Sequence, residues 1–299
     1  MKHTFKEWFT ITRYWSFPVS AMPVAVAAAY LAWRGYALNW LFVVLALLGN
    51  VIFHAAGNLL SDWWDYRKGV DNEKAHAVPF LVFHMFEPKE YIKLSACLFA
   101  AGLVLGFVLA YLTGWQLLVI GAAGFVLALS YSFFKFRALG DIFVFFTFGV
   151  LPVIGTSFVA TGGVIDWNAL VISLPLGIFT IAVLHNNNTV DIATDKESGI
   201  KTVPMFLGER FSAGLYIAYM VIPYICVIVA CILGELPCWS LVCLVSGIIA
   251  FKNASAAAQY FKKGREALIG LDQKTAQLHM MFSITLIVGL AIATLICLL

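Results

Sequence analysis

From Phe17 to Leu299 the sequence is a succession of apolar runs, most of them near 20 residues long and almost free of charge. A helix needs about 20 apolar residues to cross about 30 Å of hydrocarbon. A closed β-barrel is the other way to span a bilayer, but its strands alternate apolar and polar residues in segments of about ten, and these runs are continuously apolar. The chain is 62% hydrophobic and 12% charged, against about 25% charged residues in an ordinary soluble domain. The fold class expected is therefore all-α, a multi-pass transmembrane bundle of about nine helices, with residues 1–299 forming a single membrane-embedded domain.

The predicted spans are 17–33, 39–60, 91–112, 115–134, 141–161, 167–186, 212–233, 237–252 and 277–298. With the N-terminus inside, every lysine and arginine except Arg34 falls in an inner segment. That asymmetry follows the positive-inside rule. It predicts a protein of the cell's inner (plasma) membrane, with the long connections 61–90, 187–211 and 253–276 facing the cytoplasm. Met1 to Trp15 carries Lys2, Lys6, Glu7 and Arg13 among aromatics, without a small-residue cleavage site. It reads as an amphipathic helix at the interface rather than a cleavable signal. The six cysteines lie in or beside apolar spans without CxxC spacing and read as buried thiols. The net charge of +3 is accounted for by topology, so membrane lipid is an expected partner and nucleic acid is not.

Two inner helix ends carry the chemistry. The first reads Asn58-Leu-Leu-Ser61-Asp62-Trp-Trp-Asp65, trailing to Gly69-Val-Asp71. On a helix Asp62 and Asp65 are i, i+3 and share a face with Asn58. Like charges this close repel and lose hydration at the membrane boundary, so they call for a compensating cation. The second reads His185-Asn-Asn187-Asn188-Thr-Val-Asp191-Ile-Ala-Thr-Asp195, then Gly199-Ile-Lys201-Thr202. Asp191 and Asp195 are i, i+4. Paired carboxylates with amides nearby suit Mg²⁺, which binds through one or two carboxylates plus substrate phosphates. Two such half-sites facing each other would hold one diphosphate. A lone pair of loop acids would read as a solvated helix end; two sets at matching inner ends read as a site.

A third element, Tyr131-Ser-Phe-Phe-Lys135-Phe-Arg137, precedes Leu139-Gly140-Asp141. Lys135, Arg137 and Lys201 are candidates to neutralise phosphate charge, although Arg137 reads equally well as a topology signal. His54 and His185 lie near the same helix ends; each either hydrogen-bonds a neighbour or acts on an acceptor's proton.

Together these residues resemble the UbiA-type intramembrane prenyltransferases, and most closely the branch that prenylates 1,4-dihydroxy-2-naphthoate in menaquinone biosynthesis. The resemblance rests on the first Asp motif with Gly69-x-Asp71, on Tyr131 to Lys135, on Leu139-Gly140-Asp141, on Gly149 through Gly155-Thr156, and on Asn187-Asn188-x-x-Asp191-x-x-x-Asp195 with Gly199-x-Lys201-Thr202. It implies Mg²⁺-dependent transfer of a polyprenyl group from a polyprenyl diphosphate to an aromatic quinone precursor. Asp62, Asp65, Asp71, Asp191 and Asp195 would be metal ligands, and Asp62, Asp65, Asp191, Lys135 and Tyr131 would act in catalysis. Asn58, Ser61, Asn187, Asn188, Lys201, Arg137 and Asp71 would bind substrate. This chain departs from the family pattern in carrying Ser61 where Asn is usual and Val190 where Arg is usual. A hydroxybenzoate, a homogentisate or a tetrapyrrole alcohol ester is the alternative acceptor. The alternatives of another class are a cation transporter, against which stand span interiors almost free of charge, and a non-catalytic membrane protein.

Overall fold

The computed structural model describes residues 3–70, 80–135 and 137–298, with the side chains of Ser132 and Lys135 aside. Asp71 and the Lys135 side chain thus lie outside the described residues. A short surface helix, α1 (Phe5–Ile11), opens the chain. Its N-cap Thr4 and Glu7 bond each other's backbone reciprocally, a capping box. Phe5 and Phe9 are exposed, whereas Ile11 packs with Leu59 and Tyr91. A helix thus stands within the Met1–Trp15 segment, over Phe5–Ile11.

The long helices follow: α2 (Tyr14–Trp33), α3 (Trp40–Arg67), α4 (Pro88–Thr113), α5 (Gln116–Lys135), α6 (Gly140–Ala160) and α7 (Trp167–Val190). Two short helices come next, α8 (Ile192–Glu197) and α9 (Val203–Leu207). The chain ends with α10 (Glu209–Ile232), α11 (Cys238–Leu268) and α12 (Leu271–Leu298). Eight of these, all except α1, α5, α8 and α9, are long and apolar enough to cross a membrane. The fourth predicted span, 115–134, corresponds to α5, a 20-residue helix that is apolar over its described stretch Gln116–Tyr131.

Two segments read as inner loops are helical. Helix α3 continues through the first motif to Arg67, and α7 runs on to Val190 with α8 immediately beyond. Backbone hydrogen bonding is the cheapest way to satisfy polar groups at the membrane boundary, so the helices persist past the apolar residues that announce them.

Helix α12 packs against α2, α7 and the start of α11. The main core, containing Tyr30, Phe179, Tyr216, Met220, Phe282 and Leu286, lies among α2, α7, α10, α11 and α12. Helices α3, α4, α5 and α6 enclose a cavity instead. In α6 the stretch Phe145–Val150 is π-helical. A Cβ at Gly149 would lie 3.0 Å from the Gly177 Cα and 3.2 Å from the Ser173 carbonyl oxygen, so these backbones cross closely. Small residues permit such crossings in membranes. At the opposite end from the motifs, Arg34 meets the buried Asp166, Nε to Oδ2 at 3.3 Å.

Candidate active site

Each motif ends in the same backbone device. After Asp65 the helix closes with Gly69 at φ +71°: the Val70 N–H donates to the Asp65 carbonyl at 2.9 Å and the Gly69 N–H to the Tyr66 carbonyl at 3.1 Å. After Asp195, Gly199 stands at φ +70°, with Ile200 N–H to the Asp195 carbonyl at 3.0 Å and Gly199 N–H to the Lys196 carbonyl at 3.2 Å. Both are Schellman caps, which favour glycine because its φ is positive. The cap holds the buried Asp65 and Asp195 three positions inside the helix end. Ser198 Oγ reaches the Gly69 carbonyl at 3.5 Å, so the two caps touch. The i, i+4 relation expected for the second pair is realised, since the Asp195 N–H donates to the Asp191 carbonyl at 2.8 Å across the α7–α8 junction.

Both half-sites open into one cavity of about 1060 Å³. Its lining includes Asn58, Ser61, Asp62, Asp65, Tyr131, Asn187, Asn188, Asp191 and Asp195. Nine of the predicted site residues, far apart in sequence, therefore share one space. Away from them the walls are apolar, with Phe53, Leu103, Phe107, Leu117, Phe125 and Leu151 among the lining residues. The cavity thus has a carboxylate-rich end and a greasy body.

Arg137 and Lys201 are brought together, in an isolated parallel bridge with the Ala138 N–H donating to the Lys201 carbonyl at 2.7 Å. Both side chains are exposed and neither belongs to the cavity lining. The Arg137 guanidinium lies 3.5 Å from the Phe133 ring centroid instead, a cation–π contact.

The structure supplies cations that sequence reasoning had read only as topology signals. Arg13 lines the cavity and pairs with Asp62. It is the one arginine or lysine in that lining among the described residues. Arg265, from the end of α11, donates from Nη1 to the Val190 carbonyl at 3.1 Å. A guanidinium thus stands beside the position where the family pattern has arginine. Asn50, Asn186, Asp272 and Gln273 also line the cavity. His185 is buried and sits with Nε2 3.1 Å from the Ser212 carbonyl oxygen, away from that lining; His54 is in it. The signal for these residues is spacing along α3: Asn50, His54, Asn58 and Asp62 recur every fourth residue on one face.

The model of the UbiA prenyltransferase family matches residues 20–269. The human UbiA prenyltransferase domain-containing protein 1 is 30% identical over 288 residues, which cover 94% of this chain and 82% of the relative. The Drosophila melanogaster homologue of that protein is 32% identical over 231 residues, 73% of this chain and 63% of the relative. The fold is shared with a UbiA homologue from Aeropyrum pernix K1, with a TM-score of 0.69 at 17% identity over 92% of this chain and 97% of that one. A UbiA homologue from Archaeoglobus fulgidus, bound to DMAPP and Mg²⁺, gives a TM-score of 0.55 at 14% identity over 94% of this chain and 99% of the other. With five-sixths of its length matched by the family model, the chain belongs to the UbiA prenyltransferase family.

Proposed function

We propose that this membrane prenyltransferase transfers a polyprenyl group from its diphosphate to an aromatic quinone precursor, with 1,4-dihydroxy-2-naphthoate as the acceptor, working at the cytoplasmic side of the inner (plasma) membrane. The observation that carries the reading is the single cavity, which joins two carboxylate pairs at one end to a long apolar body. A polyprenyl diphosphate has the same division: a charged head and a greasy tail.

The donor set fits Mg²⁺. Asp62, Asp65, Asp191 and Asp195, with amides from Asn187 and Asn188 nearby, offer oxygen ligands, the preference of a hard cation. No group of three or more His, Cys, Asp or Glu side chains placed to hold a metal occurs among the described residues. Mg²⁺ binds through one or two carboxylates and completes its shell with water and phosphate oxygens. The structure of the Archaeoglobus homologue with DMAPP and Mg²⁺ supports the assignment by analogy of fold. When bound, Mg²⁺ neutralises the diphosphate and makes it a better leaving group.

The protein's own groups do the rest. Arg13 places a fixed positive charge beside the carboxylates, where the diphosphate head belongs. The apolar walls exclude water from an allylic carbon that becomes electron-poor as the C–O bond breaks, and the aromatic side chains of Tyr131 and Phe148 line the cavity, where a π face would stabilise that carbon. An electron-rich ring carbon then forms the new C–C bond.

The acceptor is tested by offering purified protein one labelled polyprenyl diphosphate and equal amounts of dihydroxynaphthoate, a hydroxybenzoate and a homogentisate. The naphthoate product should exceed each of the others by about tenfold or more, a preference of about 1.4 kcal/mol. Preferential labelling of another ring would replace the acceptor and leave the reaction class standing.

A further inference from the structure

Every fourth residue of α3 from Asn50 to Asp62 is polar and reaches across to the N-terminal segment. Asn50 Nδ2 donates to the Ser20 carbonyl at 2.6 Å. His54 sits between two hydroxyls, with Nδ1 3.0 Å from Ser20 Oγ and Nε2 3.3 Å from Ser16 Oγ. Asn58 Nδ2 donates to the Thr12 carbonyl at 3.0 Å and to Ser16 Oγ at 3.3 Å. Asp62 closes the ladder on Arg13. The ladder runs down the cavity wall, because Asn50, His54, Asn58, Asp62, Ser16 and Arg13 all line it.

Counting hydrogens around His54 shows what the seat is built for. Ser16 Oγ also donates to the Arg13 carbonyl at 2.7 Å, and Ser20 Oγ to the Phe17 carbonyl at 3.0 Å. With each hydroxyl hydrogen directed to a carbonyl, both serine oxygens can only accept from the imidazole. A neutral imidazole has a single N–H and the imidazolium has two. The seat can therefore hydrogen-bond the ring in either protonation state, the change being a hydroxyl rotation. Of the elements packed on His54, the N-terminal segment brings Arg13, whose charge faces Asp62, and α6 brings Phe148, with ring centroids 4.7 Å apart.

Resting on the prenyl-transfer reading above, we propose that His54, reached through the Ser16 hydroxyl, receives the proton that a hydroxylated aromatic acceptor loses during transfer. The imidazole is eight residues from Asp62, about 12 Å along the helix, between the diphosphate end and the apolar body. An acceptor ring beside the Phe148 face would present its hydroxyl to Ser16. The allylic C–O bond breaks and its electron pair leaves with the diphosphate, while the ring carbon forms the C–C bond. The acceptor's hydroxyl proton passes to Ser16 Oγ, and the Ser16 proton passes to His54 Nε2. The ring carbon's own hydrogen then moves to the oxygen and restores aromaticity. His54 afterwards releases its proton to solvent or to the departing diphosphate.

The test is His54→Gln, which keeps hydrogen-bonding capacity and cannot carry the proton. Binding of a polyprenyl thiolodiphosphate with Mg²⁺ should stay within about twofold of the wild type, while kcat for transfer to dihydroxynaphthoate falls by about 100-fold. The residual rate should rise about tenfold per pH unit below the acceptor's own ionisation, steeper than the wild-type profile, since hydroxide must now take the proton. Ser16→Ala should lower kcat about tenfold with donor binding retained, and it decides the matter if the Gln variant does not fold. A kcat within about threefold of wild type with an unchanged pH profile overturns the assignment. So does a loss of donor binding that parallels the loss of transfer. Wild-type protein that binds the donor and prenylates no hydroxylated ring overturns the prenyl-transfer reading itself and this assignment with it.

Discussion

Asp191→Ala and Asp62→Ala should each lower prenyl transfer by about 10³-fold or more, equivalent to about 4 kcal/mol of transition-state stabilisation, while the proteins still insert and purify as folded species. Both carboxylates line the cavity from the ends of different helices. Neither is a core packing residue: both are half-buried, whereas their motif partners Asp65 and Asp195 are buried. Loss of either therefore removes an oxygen donor facing the diphosphate and leaves the apolar helix packing in place, although Asp62→Ala also gives up the ion pair with Arg13. Turnover is read from labelled product and folding from the thermal midpoint in detergent, which should move by only a few degrees. Full activity in both variants would remove the carboxylate site from the account.

The largest effect on stability is expected at Gly289, in α12. A Cβ there would lie 2.2 Å from the Trp239 carbonyl oxygen, 2.8 Å from its carbon and 3.1 Å from the Ser240 Cα. All three are backbone atoms of α11, so no side chain can rotate away. Ordinary overpacking costs about 1–3 kcal/mol, and separating two backbones across a main packing seam should exceed it. Gly289→Ala should therefore cost about 3 kcal/mol or more and sharply reduce the monodisperse fraction in detergent. Gly214→Ala, in α10, meets nothing within 4 Å. It should be neutral or slightly stabilising, because alanine favours the helix. Equal thermal midpoints for the two variants would contradict the close α11–α12 crossing.

The membrane helices were legible because length and hydropathy act locally, and the chain carries them without interruption. The two acid pairs were legible because i, i+3 and i, i+4 spacing places them on one face. What was hidden depends on contacts between distant segments. Arg13 and Asp62 are 49 positions apart, and Arg265 reaches Val190 across 75. At an inner helix end, an arginine that anchors topology and one that faces a substrate look the same in sequence. Arg137 shows the reverse case: its spacing suggested phosphate contact, yet its guanidinium lies against Phe133 outside the cavity lining. The helical continuation of α3 and α7 beyond their apolar stretches was also partly concealed, since polar residues there satisfy the site and the helix at once.

The most direct measurement of the central claim is product formation by the purified full chain, given labelled polyprenyl diphosphate and dihydroxynaphthoate, with Mg²⁺ in one arm and EDTA in the other. The account predicts a prenylated ring with Mg²⁺ and a loss of at least about 100-fold with EDTA, restored by excess Mg²⁺. Equal product in both arms would contradict a metal-dependent transfer, and no product in either arm from folded, donor-binding protein would contradict the transfer itself.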